Sequence, residues 1–320
     1  MSDAPTIGVD VGGTKIAAGV VGPDGAIAKR TQVPTEAHDP AAIVDDIIAV
    51  ARELADTTPG VAAVGVGAAA LVDVEAGVIL GGPNLAYRDV AITERLSREL
   101  SLPAIVDNDA NVAALGEAMY GGGRDANDQV MITVGTGIGS GIIIDGSIYR
   151  GGYGVGGELG HMVIDPEGPA CACGNRGCWE ALASGRAIGR LARQRVEGGA
   201  GAELLATAGG NLDAITGELV GEAAEAGSAF ARDVLLEIGR LLGIGLANVV
   251  NIFDPELIVL GGGAVAGTGE ILVEPARESM KAHIVGLGWR RNVAKVVPAV
   301  LGNDAGLVGA AVLAREVAAT

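Results

Sequence analysis

The chain has 320 residues, of which 49% are hydrophobic and 19% are charged, and its formal net charge is -17. This length accommodates two domains of ordinary size with separate cores, and the composition excludes a disordered chain. The acidic balance argues against nucleic acid as a partner, because a phosphate backbone requires a basic surface.

The first half opens with a predicted meander of three strands over residues 6 to 33, in which Asp24-Gly25 marks the second turn. The spacing of apolar residues then predicts a series of helices and strands. In order these are a helix over Pro40 to Leu54, a strand within Val61 to Ala69, a helix over Ala91 to Leu100, a strand over Pro103 to Asp107 and a helix over Ala110 to Tyr120.

The second half begins by repeating the opening plan. Met131 to Arg150 contains an apolar strand, a glycine-rich turn, a second apolar strand, an Asp-Gly turn and a further strand. Two copies of one plan, about 125 residues apart, predict two halves of similar architecture. The later predicted elements are a helix over Trp179 to Val196, a Gly/Ala-rich loop to Leu212, helices from Gly221 and Ala229, a strand over Leu257 to Leu260, a strand over Val293 to Val300 and a helix over Ala305 to Val317.

The apolar stretch from Leu235 to Val250 is the most hydrophobic part of the chain. Glu237 and Arg240 interrupt it, which predicts a buried helix and not a membrane span. No secretory pattern opens the chain, so we expect a cytoplasmic protein.

All three cysteines, Cys171, Cys173 and Cys178, follow His161 in a short segment. Three thiolates and one imidazole complete the tetrahedral shell of a structural zinc ion and leave no position open for water. The competing interpretations are three free buried thiols and a redox Cys-x-Cys motif. With no cysteine left for a disulfide, the pattern also fits a reducing compartment.

Glu158 and Glu180 flank the same segment. If one nitrogen of His161 binds zinc, the other can donate a hydrogen bond, and the metal then fixes the orientation of the ring. Two carboxylates beside an oriented N–H suit a polyhydroxylated ligand such as a sugar. The alternative is that both glutamates are ordinary solvated charges.

Two glycine turns between strands, Gly12-Gly13 and Gly135-Thr-Gly-Ile-Gly139, expose backbone N–H groups that can bind phosphates. Neither turn has the spacing of a P-loop, and each taken alone is compatible with a plain hairpin. Their matching positions in the two halves favour a nucleotide. Asp10 is expected to hold a magnesium ion through water, and Lys15 supplies positive charge.

Together these motifs resemble the ROK family, the group of repressors, open reading frames and sugar kinases. The quoted motifs are Gly8-Val-Asp-Val-Gly-Gly-Thr-Lys15, Asn108-Asp109, Gly135-Thr-Gly-Ile-Gly139, Glu158-Leu-Gly-His161 and the cysteine segment through Glu180. The resemblance implies an α/β fold of the actin-like ATPase (ribonuclease H-like) type, with duplicated domains and an active-site cleft between them. We expect a small domain over residues 1–109 plus 303–320 and a large domain over residues 110–302.

The resemblance also implies roles for individual residues, with Asp109 as the catalytic base. Considered alone, Asp109 reads as the N-cap of the following helix. One departure from the family is Asp107, which stands where many relatives carry Glu. The implied sugar contacts are Asn84, Asn108, Asp109, Glu158, His161 and Glu180. The expected nucleotide contacts are Asp10, Gly12, Gly13, Thr14, Lys15, Gly135, Thr136, Gly137, Gly139, Gly261, Gly262 and Gly263.

The implied activity is ATP-dependent phosphorylation of a hexose, with glucose as the first expectation. The alternatives are an N-acetylated amino sugar, mannose or fructose as acceptor, polyphosphate as donor, and a non-catalytic sugar sensor. The repressor members need a DNA-binding helix-turn-helix, which the six residues before Ile7 cannot form. The expected cofactors are a structural Zn²⁺ and the Mg²⁺ of MgATP, and a homodimer or homotetramer is expected.

Overall fold

A computed structural model of the chain describes residues 4–36, 39–82 and 88–318. Backbone contacts divide the chain into two compact units. Unit 1 comprises Met1–Met131, Gly141–Gly157 and Ala299–Thr320, and unit 2 comprises Ile132–Ser140 and Glu158–Pro298. The domain boundaries expected from the sequence stay a prediction.

Strands and helices alternate along most of the described chain. The strands are β1 (Thr6–Val11), β2 (Lys15–Val21), β3 (Ile27–Pro34), β4 (Val64–Ala68), β5 (Leu71–Asp73), β6 (Val78–Gly81), β7 (Arg88–Val90), β8 (Ala104–Asn108), β9 (Gln129–Val134), β10 (Ile138–Ile144), β11 (Ser147–Ile148), β12 (Leu257–Gly261) and β13 (Lys295–Pro298). The α-helices are α1 (Pro40–Thr57), α2 (Ile92–Leu100), α3 (Asp109–Tyr120), α4 (Trp179–Ala183), α5 (Gly185–Glu197), α6 (Ala202–Thr207), α7 (Gly217–Glu225), α8 (Ala229–Phe253), α9 (Gly263–Ala266), α10 (Glu270–His283) and α11 (Ala305–Ala318).

Unit 1 contains a five-stranded sheet in the order β3-β2-β1-β4-β8. The first three strands are antiparallel, and β1, β4 and β8 are parallel. Helix α11 packs closely on this sheet, because a Cβ added at Gly8 or Gly65 would lie 1.9 Å from a backbone oxygen of α11. The apolar residues of β1, β2, β4 and α1 form the core of this unit. This core fixes the positions of the strand ends that carry the candidate site residues.

A second five-stranded sheet has the order β11-β10-β9-β12-β13. In both sheets the two strands that flank a glycine turn are followed by a strand from later in the chain, and the two orders match position by position. The internal repeat predicted from the sequence is therefore confirmed. A third sheet, β5-β6-β7, has three short strands that the sequence pattern did not indicate.

Helix α8 is long and apolar enough to cross a membrane by length and composition, but 56% of its apolar window is buried within the protein. It packs against α10 at Gly239 and Gly243, where an added Cβ would lie 2.6 and 2.3 Å from the carbonyl oxygens of Leu272 and Ala276. This close backbone approach identifies α8 as a core helix, as its interrupting charges predicted.

Three predicted elements of unit 2 were wrong in detail. The helix expected over Trp179 to Val196 is two helices, because Ser184 has extended backbone angles and its Oγ accepts the Ala187 N–H as the N-cap of α5. The expected Gly/Ala-rich loop contains α6, and α7 begins at Gly217 and not at Gly221. Helix α10 was missed.

Candidate functional site

Strand β8 runs directly into α3, and this junction carries Asn108 and Asp109. Asn108 is the N-cap, since its Oδ1 accepts the N–H groups of Ala110 and Asn111 at 2.9 and 3.2 Å. Its Nδ2 donates to the Ala70 oxygen at 3.1 Å and has a second hydrogen that a sugar oxygen can accept. Asp109 is the first helical residue, so the cap that Asp109 alone would suggest is supplied by Asn108. The positive end of the helix favours the ionised form of a carboxylate here.

The first glycine turn joins β1 to β2 at the edge of unit 1. The Gly12 N–H donates to the Lys15 oxygen at 3.0 Å, and the Thr35 hydroxyl donates to the Gly12 oxygen at 2.8 Å. Gly13 and Thr14 are exposed, and a Cβ added at Gly13 would meet no atom within 4 Å. Hydrogen bonds to Lys15 and Thr35 therefore hold the backbone of the turn, and its exposed residues leave room for a phosphate group to approach.

Asp10 lies near the end of β1, two residues before this turn. Burial raises the pKa of its carboxyl group to about 6, and the charge of Lys15 opposes part of that rise. Gly306 of α11 leaves room beside it, because a Cβ there would lie 2.8 Å from the carboxyl carbon. A partly desolvated carboxylate is stabilised when a cation binds, which fits the expected role of Asp10 toward a hydrated Mg²⁺.

Asp10→Asn is expected to stabilise the nucleotide-free protein while weakening MgATP binding. Raising the carboxyl pKa from 3.8 to about 6 makes the ionised form cost up to roughly 3 kcal/mol at neutral pH. The wild type is thus relieved of this cost at low pH and bears it fully above the raised pKa. The gain in the variant's free energy of unfolding should appear at pH 7 to 8 and vanish near pH 4.

Denaturant unfolding across this pH range, without nucleotide, measures the effect. Asp56→Asn on the exposed face of α1 is the matched control and should show no such pH-dependent gain. An Asp10→Asn protein that is less stable than wild type at pH 8 would contradict the assignment.

Unit 2 contains a cavity of about 1030 Å³ that lies between the second glycine turn and the glycines at the end of β12, Gly261 to Gly263, which form a third glycine turn. Gly135 and Thr136, which follow β9, and Gly263 and Ala264, which begin α9, lie in its wall. The volume is that of a typical cofactor site. The structure thus brings together three of the predicted nucleotide contacts, Gly135, Thr136 and Gly263.

The other predicted contacts of these turns are not part of the cavity wall. Gly137 packs against Glu180, because a Cβ there would lie 2.2 Å from Oε2. Gly262 has a φ of +94°, and its added Cβ would lie 2.5 Å from the Val134 oxygen. Gly139 and Gly261 lie within β10 and β12.

Charged side chains on two helices complete the cavity and were not predicted. Three arginines of α5 and three glutamates of α7 lie in its wall at helical spacing: Arg186, Arg190, Arg193, Glu218, Glu222 and Glu225. Burial and the neighbouring Arg193 lower the pKa of Arg190. Arg190 and Arg193 each donate at 2.6 Å to a backbone oxygen, of Ala181 and Ile215 respectively. In the sequence, these two charged helix faces could have been recognised from the i, i+4, i+7 spacing of the arginines and of the glutamates.

The four predicted zinc ligands converge. The donor atoms of His161, Cys171, Cys173 and Cys178 all lie within 4.8 Å of one another. The Cys171 Sγ is 3.8 Å from His161 Nδ1, and the Cys173 and Cys178 Sγ atoms are 3.6 Å apart. Thiolates on one tetrahedral zinc are about 3.8 Å apart, so the donor set fits this ion.

The loop that holds the cysteines depends on two glycines and on burial. Gly174 and Gly177 have φ of +93° and +66°, and a Cβ at Gly177 would lie 1.5 Å from the Asp165 oxygen. Burial raises the pKa of the Cys178 thiol to about 12. A cation is therefore needed to hold this thiolate at neutral pH.

Glu158 and Glu180 approach the same cluster. His161 Nε2 is 3.9 Å from a Glu158 oxygen, on the side of the ring away from the cysteines. Glu180 Oε2 accepts the Ile138 N–H at 3.0 Å, and its Oε1 is 3.8 Å from the Cys171 Sγ. Glu180 therefore connects the second glycine turn to the cysteine cluster. Burial raises the pKa of Glu158. Asn84, the remaining predicted sugar contact, lies outside the described residues.

Several known proteins are similar to this chain over nearly its whole length. A glucokinase of Streptomyces coelicolor is 45% identical over 97% of this chain and 98% of its own length. The structure of a ROK family glucokinase from Streptomyces griseus in complex with glucose and AMPPNP superimposes with a TM-score of 0.86 at 42% identity, covering 98% of this chain and 99% of that one. A ROK hexokinase from Thermus thermophilus gives a TM-score of 0.79 at 34% identity, covering 98% of both chains.

These likenesses confirm the predicted α/β fold of the actin-like ATPase type and the ATP-dependent hexose kinase activity. The sequence model described as the ROK family matches residues 6–317, nearly the whole chain. This chain belongs to the ROK family.

Proposed function

We propose that this chain transfers the γ-phosphoryl group of MgATP to glucose, which gives glucose 6-phosphate and MgADP. The likeness over almost the whole chain to a glucokinase whose structure contains glucose and AMPPNP carries this proposal. The acceptor is glucose in preference to an N-acetylated amino sugar, mannose or fructose.

Within unit 1, the proposed base is the Asp109 carboxylate, which accepts the proton of the attacking hydroxyl. Asn108 contributes its second Nδ2 hydrogen to the sugar. Phosphoryl transfer asks the protein mainly for alignment, charge neutralisation and a proton acceptor. The exposed N–H groups of Gly13 and Thr14 and the ammonium group of Lys15 would bind phosphate oxygens, and Asp10 would hold, through water, a Mg²⁺ ion that neutralises the triphosphate.

Within unit 2, Glu158, His161 and Glu180 are the proposed sugar contacts, and Gly135, Thr136 and Gly263 contact the nucleotide. Zinc bound by Nδ1 of His161 would leave the Nε2 hydrogen facing Glu158, so the imidazole can donate to a hydroxyl. The cavity between the second and third glycine turns is the proposed nucleoside site. A linear polyphosphate has no base or ribose to fill this cavity.

The same proposal covers location and assembly. We place the protein in the cytoplasm, where a reduced cysteine cluster is maintained and MgATP is available. A homodimer or homotetramer is the proposed assembly, which size-exclusion chromatography with light scattering would measure.

A coupled ADP-release assay across a sugar panel tests the function. We expect glucose with MgATP to give the highest kcat/KM, with mannose, fructose and N-acetylglucosamine below it. Polyphosphate should support slower turnover than MgATP at saturation, because it cannot occupy the nucleoside cavity. Faster turnover with polyphosphate would reverse the donor assignment, and tight glucose binding without any turnover would favour the sugar sensor.

A further inference from the structure

A buried carboxylate next to the proposed base has no role in the function described above. Asp107 is the residue before Asn108 in β8, and its side chain is only 2% exposed. Its Oδ1 accepts the Asn108 N–H at 2.7 Å and the Asn111 Nδ2–H at 2.9 Å. Its Oδ2 accepts the Arg150 Nε–H at 2.7 Å. Every contact of this carboxylate is thus directed at the protein.

The Asn111 contact connects the end of β8 to the first turn of α3 across Asn108 and Asp109, and the Asn108 N–H contact fixes the first peptide of that segment. The Asn108 N–H belongs to the peptide that carries the proposed sugar contact. Asn111 lies two residues beyond Asp109 and is itself buried. The Asp107 carboxylate therefore restrains the backbone on both sides of the proposed base.

The third contact comes from Arg150, 43 residues further along the chain. Arg150 follows β11 and opens the glycine-rich loop that the chain follows to Glu158. The Arg150 carbonyl oxygen accepts the Gly156 N–H at 2.8 Å, which closes this loop on itself. One residue thus binds Asp107 with its guanidinium and the end of the loop with its backbone.

A pair of this kind is a poor device for stability alone. Removing a carboxylate from water is costly, and apolar residues of similar size often give equal or greater stability than a buried ion pair. Its directional hydrogen bonds instead fix one geometry for the groups attached to it. A displacement of about 1 Å at a reacting group can cost 10²-fold in rate.

We propose that Arg150, acting through Asp107, is a positioning residue for phosphoryl transfer. It holds the Asn108-Asp109 segment in the geometry that the attacking hydroxyl requires. Arg150 itself contacts neither substrate. This inference rests on the proposed function, because the transferred group and the acceptor are those assigned above.

The test compares Arg150→Met and Arg150→Lys with wild type in the full chain, using glucose and MgATP. Arg150→Met is expected to lower kcat/KM for glucose by roughly 10- to 100-fold, with the KM for MgATP changed by less than about 3-fold. Arg150→Lys keeps the charge but loses the planar guanidinium geometry, so it should recover part of the loss.

Arg315→Met is the matched control for lost stability. Arg315 is a buried arginine of unit 1, and it donates to the Tyr120 hydroxyl and, at 2.6 Å, to the Gly22 oxygen. This variant should lower the Tm yet keep kcat/KM for glucose within about 2-fold of wild type at temperatures well below its Tm, since an exclusively structural change alters the folded fraction and not the site.

The outcomes separate the inference from the proposed function. If wild type turns over glucose but Arg150→Met and Arg150→Lys keep its kcat/KM while losing Tm, the pair is structural and the inference is wrong. If Arg150→Met does not fold, Arg150→Lys decides by the same measure. A wild type inactive on glucose counts against the proposed function, and the variants are then compared on whichever sugar of the panel is phosphorylated. If none is, both fail.

Discussion

Asp109→Asn is expected to reduce kcat by roughly 10²- to 10⁴-fold, with glucose affinity changed far less. A sugar hydroxyl is a weak nucleophile at neutral pH, and the carboxylate accepts its proton as the bond to phosphorus forms. Asparagine has nearly the same shape but cannot accept a proton at neutral pH.

The arrangement at the start of α3 makes this substitution informative. Asn108 supplies the N-cap with its own side chain, and the Ala110 N–H that Asp109 Oδ1 also accepts at 2.9 Å can be accepted by the amide oxygen of an asparagine. The Tm of the variant should therefore stay within a few degrees of wild type. Lost turnover with a normal Tm and normal glucose binding by calorimetry then reports the chemical step.

Asp39→Asn provides the matched control. Asp39 is the N-cap of α1, and its carboxylate accepts the N–H groups of Ala41 and Ala42 at 3.0 and 3.1 Å. The same chemical change at another helix start should leave kcat within about 2-fold, since Asn caps as well as Asp. A stable Asp109→Asn enzyme with full activity would rule out the mechanism proposed here.

The parts of the site that the sequence could predict are local in the chain. The cysteine cluster and its histidine lie within eighteen residues, so their spacing alone indicated a metal site. Asn108 and Asp109 were recognisable because polar residues stand between an apolar strand and a helix. The repeated strand and glycine-turn plan likewise indicated the two matching sheets.

The cavity proposed to bind the nucleotide could not be predicted because it depends on how two helices pack. Helix α5 approaches the start of α7 closely: a Cβ added at Gly217 would lie 2.4 Å from the Gly185 oxygen, and one added at Gly189 would lie 3.1 Å from the Ile215 oxygen. This packing brings the arginines of α5 and the glutamates of α7 to one cavity. The sequence pattern predicted one helix in place of α4 and α5 and began α7 at Gly221 instead of Gly217. It therefore gave no indication that the arginine face of α5 and the glutamate face of α7 meet.

Asp107 shows a second limit of sequence reasoning. Its difference from the Glu of many relatives was visible in the sequence, but its role was not. Its partner Arg150 lies 43 residues away and belongs to no motif. Only the folded chain shows that this aspartate accepts three hydrogen bonds beside the proposed base.

Removing zinc is expected to weaken glucose binding and loosen the cysteine cluster in one step. The purified chain should contain one zinc ion, and Cys173→Ala should contain much less. The KM for glucose should rise by roughly 10-fold or more in this variant, because disturbing the groups that orient a metal-bound histidine typically costs 10- to 100-fold in metal affinity or activity. The freed His161 ring would no longer be held with Nε2 toward Glu158.

Trp179 provides a direct readout of the local structure. It follows Cys178, is fully buried, and packs against Gly245 of α8, where an added Cβ would lie 2.0 Å from the indole. The second tryptophan, Trp289, is 91% exposed, so Trp289→Phe leaves Trp179 as the single reporter. Loss of zinc should shift its emission to longer wavelength as water reaches the ring.

Chelation and mutation should agree, because zinc binding supplies folding free energy to the loop that carries its ligands. Protonation competes with zinc for the thiolates, so zinc should be lost more readily as the pH falls. The strongest competition is expected at Cys178, because its thiol pKa is raised to about 12.

Ala172→Ser, at an exposed position between two ligands, is the control and should keep the wild-type zinc content, Trp179 emission and KM for glucose. An active enzyme that contains no zinc and shows the wild-type emission of Trp179 would end the assignment, since the imidazole would then be oriented by the protein alone.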